Sequence, residues 1–485
     1  MIRWSKVLEK VDDYRWRLPR TFQRGMRTDG IIFADDSLME AIGQDEAVQQ
    51  VANVACLPGI VGESLAMPDI HWGYGFPVGG VAAFDVKEGI VSPGGIGYDI
   101  NCGVRLLRSD VSAKDGAGRV EKLINALYAN VPCGVGRDGR IRLSGTKELD
   151  RVLERGARWA VEKGYGIRDD LEHTEERGCL DGAMPEYVSA RARQRGAGQL
   201  GTLGSGNHFL EVQAVQEIYD EEAAQAFGVE KGMITVMIHS GSRGLGHQAA
   251  TDYIGVMGAA LREYGIEVPD RQLACAPVDS PQGREYLGAM AASANFAWAN
   301  RQVIAHFVRE AFEQVFGMSA SRLGLQQVYD VSHNVARMET HVIDGKKRKL
   351  CVHRKGATRS LGPGSAGLPE DHRGVGQAVI IPGDMGRYSY LLAGTAQPAR
   401  LSFSSTCHGA GRLLSRGAAK SAMKGRDVAM ELKERGIYVL GGSWASLAEE
   451  APDAYKDVAA VVNTAHGAGL ARRVARLKPL GVMKG

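Results

Sequence analysis

Short apolar runs that empty into glycine loops recur along the whole chain, and no other feature restricts its fold as much. Glycine clusters fall at 73–80, 94–103, 201–206, 241–246, 362–367, 383–386 and 409–411. Between them lie runs of β character such as MITVMIHS, LCVHR, AVIIPG, LSFSST and IYVLGG. A chain punctuated in this way makes many short strands whose ends open into tight loops, because glycine adopts backbone angles closed to other residues. With 63 glycines in 485 residues, against a usual share of about 7%, the excess sits where strands stop. The stretch GGIGYDINCGVRLL at 94–107 is the extreme case: it reads cleanly as neither helix nor strand, and it sets Asp99 and Cys102 three residues apart.

Helical periodicity, with apolar residues at three- and four-residue steps, marks VEKLINALYANV, KELDRVLERGARWAVEKG, the long ANFAWANRQVIAHFVREAFEQVFG and AKSAMKGRDVAMELKERG. Residues from about 250 to 320 read as a helical insertion. No Pro/Ser-rich linker, internal repeat or low-complexity tract divides the chain. The expectation is therefore one intertwined α+β domain over residues 1–485, built on a mixed β-sheet core.

No run of about 18 apolar residues is present for a membrane span, and the opening MIRWSKVLEKVDDYRWRLPR lacks the apolar core and cleavage site of a signal peptide. A cytoplasmic protein with no membrane partner is expected. Its seven cysteines, at 56, 102, 133, 179, 275, 351 and 407, form no CxxC pair and no disulfide-framework spacing. A special cysteine here is a ligand or a nucleophile. The formal charge of +3 neither demands nor excludes a nucleic-acid partner. The basic stretch HVIDGKKRKLCVHRKGATR, which carries Arg354 and Lys355, could follow a phosphate backbone, but charge alone favours a solvated hairpin.

Four of the twelve histidines share one setting, the junction of a strand and a Gly/Ser/Asn loop: His208 in GTLGSGNHFLEV, His239 in VMIHSGSRGLG, His333 in YDVSHNVAR and His408 in SSTCHGAGR. One such histidine is most simply a hydrogen-bonded structural residue. Four of them, with Asp99 and Cys102 in a fifth loop, point to a metal. Imidazole and thiolate suit Zn, Fe, Co or Mn, and a carboxylate adds hard-oxygen character. A thiolate can also bridge two ions, whereas a buried neutral thiol is only a small hydrophobe. Arg243 in HSGSRG offers a planar fork for phosphate or for a surface ion pair. In STCHGAGR, backbone N–H groups after His408 can cradle a phosphate. A histidine so placed can ligate metal, act as a base or be a nucleophile, and the residues alone leave these roles open.

Taken together, MPDIHWGYGFPVGG, GGIGYDINCGVR, GSGNHFLEV, HSGSRGLG, DVSHN, VHRKGATR, STCHGAGR and the C-terminal RLKPLGVMKG resemble the RtcB family of RNA ligases, in the same order from about residue 20 to the last glycine. The resemblance implies an RtcB-like fold and GTP- and manganese-dependent joining of an RNA 3′-phosphate or 2′,3′-cyclic phosphate end to a 5′-hydroxyl end, as in tRNA splicing and RNA repair. It implies one Mn2+ on Cys102, His208 and His239 and a second on Asp99, Cys102 and His333, with His408 taking GMP from GTP. It implies a nucleotide pocket from Asn207, Glu211, Ser389, His408, Gly409, Ala410, Gly411, Tyr455 and Lys484. Phosphate and RNA contacts are expected from Arg243, Asn334, Arg354, Lys355 and Arg412, and the resemblance leaves room for an archease-type activator as a partner.

Two stretches depart from the pattern. Many relatives read roughly Gly-Ser-Met-Gly-Thr where this chain has GDMGR, and Ala-Phe where it has Ser360 and Leu361. Asp384 and Arg387 are thus expected to bring charge near the nucleotide or the RNA. Two other classes fit part of the residue set. A dinuclear metallohydrolase uses the same ligand types to activate water on RNA ends, but needs neither the nucleotide pocket nor Lys484. A non-catalytic RNA-binding or metal-storage protein keeps closed metal shells.

Overall fold

The apolar runs form two large β-sheets in the computed structural model, which describes residues 4–485; residues 1–3 of the domain expected over 1–485 lie outside the described residues. One sheet has seven strands, in the spatial order Glu9–Asp12, Arg15–Leu18, Gly30–Phe33, Ile60–His71, Val78–Asp85, Lys346–Lys355 and Asn334–Ile343. The other has eight. Gln326–Ser332, Gly103–Ser112, Met233–Ser240, Phe209–Ile218, Ala471–Lys484, Ser389–Gly394 and Ala378–Ile381 follow one another, and Tyr438–Gly441 pairs parallel to Ala471–Lys484. Most neighbours are antiparallel, but Gly30–Phe33 and Ile60–His71 run parallel. The core is therefore a mixed sheet with helices packed on it, as the α+β class requires.

The eight-stranded sheet is buried on both faces, and the period of two that pleated strands present shows how. Along Met233–Ser240, Ile234, Val236 and Ile238 pack into one apolar cluster with the helices. Met237 joins a second cluster on the opposite face with Val104, Val331 and Leu391. Helix Pro281–Phe316 covers the first face and buries Phe296, Trp298 and Phe312 completely. Its ends are written into the chain: the Ser280 side chain accepts from Gly283 N, and Gly317 closes the helix at φ +70°. This helix and Arg243–Glu263 occupy the stretch expected to be helical from about 250 to 320, with the helical chain already beginning at Arg243.

Three expected elements come out shorter. The helix read over KELDRVLERGARWAVEKG is two helices, Thr146–Arg155 and Ala157–Glu162, because Gly156 turns to φ +55° and lies where a Cβ would meet Gly178 O at 2.2 Å. AKSAMKGRDVAMELKERG likewise divides between Arg416–Ala422 and Gly425–Glu434, with Met423 extended between them. In LSFSST only Ser405 and Thr406 belong to a strand, Ser405–Cys407, since Phe403 and Ser404 sit at φ +50° and +52°. Periodicity in sequence does not register these local departures, which follow from distant backbone.

The sheet register assembles the site. Gly103 pairs with both Ser240 and Ser332, and Phe209 pairs with His239. Antiparallel neighbours alternate in direction, so two strands begin and two end along this one edge. Cys102 and His208 immediately precede their strands, His239 is the penultimate residue of its strand, and His333 follows Ser332. His333 is also the single residue between Gln326–Ser332 in one sheet and Asn334–Ile343 in the other.

Candidate active site

Five side chains of metal-ligand type converge along that edge. Cys102 Sγ lies 3.4 Å from His208 Nε2 and 3.2 Å from His239 Nε2. His239 Nε2 is 3.3 Å from His333 Nε2, and His208 Nε2 is 2.7 Å from Asp99 Oδ2. By nearest atoms they form two groups within 4.8 Å, Asp99–Cys102–His208 and Cys102–His239–His333. The same five residues and the same shared thiol stand in the sets implied by resemblance. Those sets divide the histidines differently, as Cys102–His208–His239 and Asp99–Cys102–His333.

The chemistry of this donor set fits divalent cations. Three imidazole nitrogens, a sulfur and a carboxylate face one another with few protons to share among them. Burial pushes the His239 and His333 imidazoles far below their usual range, so both offer lone pairs. Burial and the Asp99 carboxylate push the Cys102 thiol far up, and a thiolate here therefore calls for a cation beside it. Burial opposes ionisation of Asp99 too, but His208 and Arg243 hold its carboxyl below the usual range.

A buried ion cluster supports the Cys102 loop from beneath. Arg301 Nη1 donates to Asn101 O at 2.8 Å and Ser240 O at 3.0 Å, while its Nη2 meets Asp330 Oδ1 at 2.8 Å. Arg105 Nε reaches the same carboxylate at 2.8 Å, and all three side chains are fully buried. The bonds to Asn101 O and Ser240 O hold the residue before Cys102 and the residue after His239. Asn101 turns at φ +53°, and Gly241 passes where a Cβ would meet Asp99 Oδ1 at 2.3 Å. Arg243 stands behind the cluster, donating from Nη1 to His208 Nδ1 at 3.1 Å and from Nε to Thr202 Oγ1 at 3.3 Å.

His408 lies against this cluster, its ring centroid 4.8 Å from that of His333. Its Nδ1 is 2.6 Å from Asp69 Oδ2, and the same oxygen accepts the backbone N–H groups of His408 at 2.9 Å and Gly409 at 3.3 Å. Asp69 is wholly buried at the far end of the strand Ile60–His71. Although burial works against its charge, His408 keeps its carboxyl below the usual range. A proton on Nδ1 leaves the Nε2 lone pair of His408 free. Gly411, at φ +73°, brings the loop so close that a Cβ would meet Asp69 O at 2.3 Å.

A cavity of about 490 Å3 opens beside His408, within the range that holds a nucleotide. Asn207, Glu211, Ser389, Gly409, Ala410, Gly411, Tyr455 and Lys484 all line it with His408. Lys484 is held in the strand Ala471–Lys484, with Nζ 3.2 Å from Gly206 O and from Glu450 Oε2. Glu450 also binds Arg412 and the Tyr455 hydroxyl, so one buried carboxylate joins three pocket residues. Burial pushes Glu211 up to about 8; its oxygen accepts from Gln213 Nε2 at 2.6 Å.

Of the residues expected to meet phosphate or RNA, Asn334, Lys355 and Arg412 line the cavity. Lys355 is held by Tyr74 O and, at 3.0 Å, Phe76 O, and burial brings it down to about 7. Arg354 lies elsewhere. It is fully buried, bonded to Ser405 Oγ, Phe403 O and both oxygens of Glu339, where it braces the strand that leads to His408. Asp384 lines the cavity, as expected of a charge near the nucleotide, while Arg387 sits with Nε 3.3 Å from Asp384 Oδ2 and Nη1 3.2 Å from Lys456 O. Ser360 is buried and donates to Leu470 O at 2.8 Å.

Sequence reading assigned no role to Asp69 or Glu450. Asp69 stands inside MPDIHWGYGFPVGG, but its partner lies 339 residues away, and nothing local marks the pair. Glu450 carries no local signal either.

Residues 50–485 match the family model described as tRNA-splicing ligase RtcB. A tRNA-splicing ligase RtcB of Archaeoglobus fulgidus is 57% identical over 479 residues, 99% of each chain. The protein of that name from Thermococcus kodakarensis is 54% identical over 478 residues, again 99% of each. The one from Methanococcus maripaludis is 50% identical over 481 residues, 99% of this chain and 100% of its own.

Proposed function

The chain belongs to the RtcB family of tRNA-splicing ligases, and from that membership we propose that it is a GTP-dependent ligase joining RNA 3′-phosphate or 2′,3′-cyclic phosphate ends to 5′-hydroxyl ends. The observation that carries the reading is the placement of His408. It is oriented by a buried carboxylate, set against the five metal-ligand side chains, and exposed to a cavity lined by all the nucleotide candidates.

His408 attacks the α-phosphorus of GTP through Nε2; a P–N bond forms as the bond to pyrophosphate breaks. The ring gains positive charge in this step, and the Asp69 carboxylate, 2.6 Å from Nδ1, offsets it. An oxygen of the RNA 3′-phosphate then attacks the same phosphorus, the P–N bond breaks, and His408 is restored with the end now carried as RNA-ppG. The 5′-hydroxyl attacks the 3′-phosphate and expels GMP. A cyclic phosphate is first opened by water to the 3′-phosphate. Two Mn2+ held by Asp99, Cys102, His208, His239 and His333 supply, when bound, neutralising charge for the phosphoryl oxygens.

Arg412, Tyr455 and Lys484, tied together through Glu450, fix one wall of the nucleotide pocket. Lys355 and Asn334 face the same cavity from the side of the metal cluster and suit the RNA end. An archease-type activator belongs to the same proposal, as does a cytoplasmic setting, where the seven free cysteines stay reduced. Among the described residues no helix is long and apolar enough to cross a membrane.

Labelling with α-32P-GTP and Mn2+, followed by denaturation, tests the reading. Wild-type protein is expected to keep acid-labile, base-stable label, and His408→Ala none. Equal labelling of both overturns the nucleophile. No label on either, with hydrolysis of RNA ends, makes the protein a metallohydrolase instead.

A further inference from the structure

A second set of metal-ligand side chains meets outside the active site, drawn from two distant parts of the chain. We propose that His173, Asp371 and His372 form a transition-metal site, of the kind Zn2+ occupies, which fastens the loop at 360–377 to the end of the helix Arg168–Glu172. Ligand atoms of all three lie within 4.8 Å of one another. His173 Nε2 is 3.0 Å from Asp371 Oδ2 and 3.3 Å from Oδ1, and the two imidazole centroids are 5.3 Å apart.

Two independent observations separate this cluster from an ordinary surface ion pair. His372 is 1% exposed, and its Nδ1 is buried with no hydrogen-bond partner. A buried polar atom left unmet costs free energy, so something is expected to meet it. A plain pairing of His173 with Asp371 satisfies those two and leaves the His372 nitrogen as it is.

The second observation concerns orientation. His173 Nδ1 is 3.0 Å from Asp169 O, which places its proton there and turns the other nitrogen, Nε2, towards the cluster. An imidazole that donates one N–H to a backbone carbonyl and presents the other nitrogen is the arrangement metal-bound histidines favour. The rest of the surroundings hold both rings still. His372 packs edge-on against Phe227, with centroids 4.6 Å apart, and beside Tyr329 at 5.6 Å. The carbonyl of His173 accepts from Gln327 Nε2 at 2.7 Å and Asp330 N at 3.0 Å, on the strand whose end carries His333.

Two imidazoles and a carboxylate match Zn2+ or Co2+ in ligand type and leave a fourth position for water.

The test uses the full chain, stripped with chelator and dialysed against Zn2+ alone, with bound metal counted by mass spectrometry. Asp371→Asn and His372→Phe are each compared with their parent, in wild-type protein and again in Cys102→Ala protein, where the active-site cluster is impaired. The expected result is one fewer Zn2+ per chain for His372→Phe and at least tenfold weaker binding of that ion for Asp371→Asn, in both backgrounds. Co2+ in the Cys102→Ala protein is expected to show d–d bands without sulfur charge transfer, lost on His372→Phe. Asp371 is exposed, so Asp371→Asn keeps the test valid if His372→Phe misfolds. Unchanged Zn2+ content and affinity in folded Asp371→Asn protein overturns the site.

Discussion

Two aspartate–histidine pairs in this molecule lie within hydrogen-bond reach in opposite surroundings. Asp69 meets His408 at 2.6 Å with its side chain wholly buried; Asp371 meets His173 at 3.0 Å with its side chain 49% exposed. Water screens the second pair and competes for its oxygens, so the pairing by itself contributes little. The first carboxylate has no water to fall back on. It spends one oxygen on three N–H groups of the His408 loop, so burial makes each of those bonds count. The contrast teaches that burial does not act on a carboxylate in one direction: it magnifies whatever partner is there.

The sharpest break of that comparison is Asp69→Asn. The amide keeps the size of the side chain but removes the charge that offsets a cationic ring at His408. GMP labelling is expected to slow by roughly 10²–10⁴-fold, the usual worth of a lost acid–base partner. Single-turnover labelling with α-32P-GTP reads it, and a rate within tenfold of wild type would remove Asp69 from the mechanism.

Asp330 carries the same logic to two full charges. It is buried between Arg105 and Arg301, and the second of these bonds Asn101 O and Ser240 O under the metal cluster. Asp330→Asn leaves two buried guanidinium groups without their counter-ion. About 3–5 kcal/mol of stability should be lost, together with metal content, since the loop before Cys102 is released. Urea denaturation gives the first quantity; a loss under 1 kcal/mol would mean that the arginines find other partners.

How far the sequence foretold this arrangement depends on the range of the signal. Strand-end histidines in glycine loops announce themselves locally, and the register of four antiparallel strands turns that local setting into a shared edge. Lys484 carries no local signal and enters only through the family resemblance; the strand Ala471–Lys484 sets it in the sheet. Asp69 and Glu450 were illegible by either route. Each is an acidic residue in an unremarkable position: Asp69 takes its meaning from a histidine 339 residues away, Glu450 from Arg412, Tyr455 and Lys484, which only the fold gathers around it. Gly156 and Arg354 failed in the same manner: the helical period runs through the glycine and the basic run through the arginine. Only tertiary packing breaks the one and buries the other.

Glu211 tests the comparison from the side of a carboxylate that burial leaves without a close cation. Its nearest partner is the Gln213 amide, and it is pushed up to about 8, against an unfolded value of about 4.3. Between those values the folded chain holds a proton that the unfolded chain gives up. Its contribution to stability is therefore fully present below about 4.3, falls as pH rises, and levels off above about 8. In metal-free protein, the stability of wild type minus that of Glu211→Gln should decline steadily from pH 5 to 8 in urea titrations. A flat difference would show that Glu211 is already ionised at neutral pH, held by Lys484.

The smallest effect belongs to the exposed pair, and its smallness is informative. In chelator-treated protein, Asp371→Asn is expected to change stability by no more than about 1 kcal/mol, because a screened ion pair at a loop is all that is lost. Added Zn2+ should widen that gap. An ion bound only by the folded chain stabilises it by RT ln(1 + [L]/Kd), about 2.7 kcal/mol at a hundredfold excess over Kd, and the variant forgoes most of this gain. Thermal melts of both proteins with and without Zn2+ measure the two differences separately. If the gap stays the same size with Zn2+ present, Asp371 is only a surface partner of His173, and the two pairs differ in burial alone. If it opens, the exposed carboxylate has what the buried one lacks, an open side from which a cation can reach it.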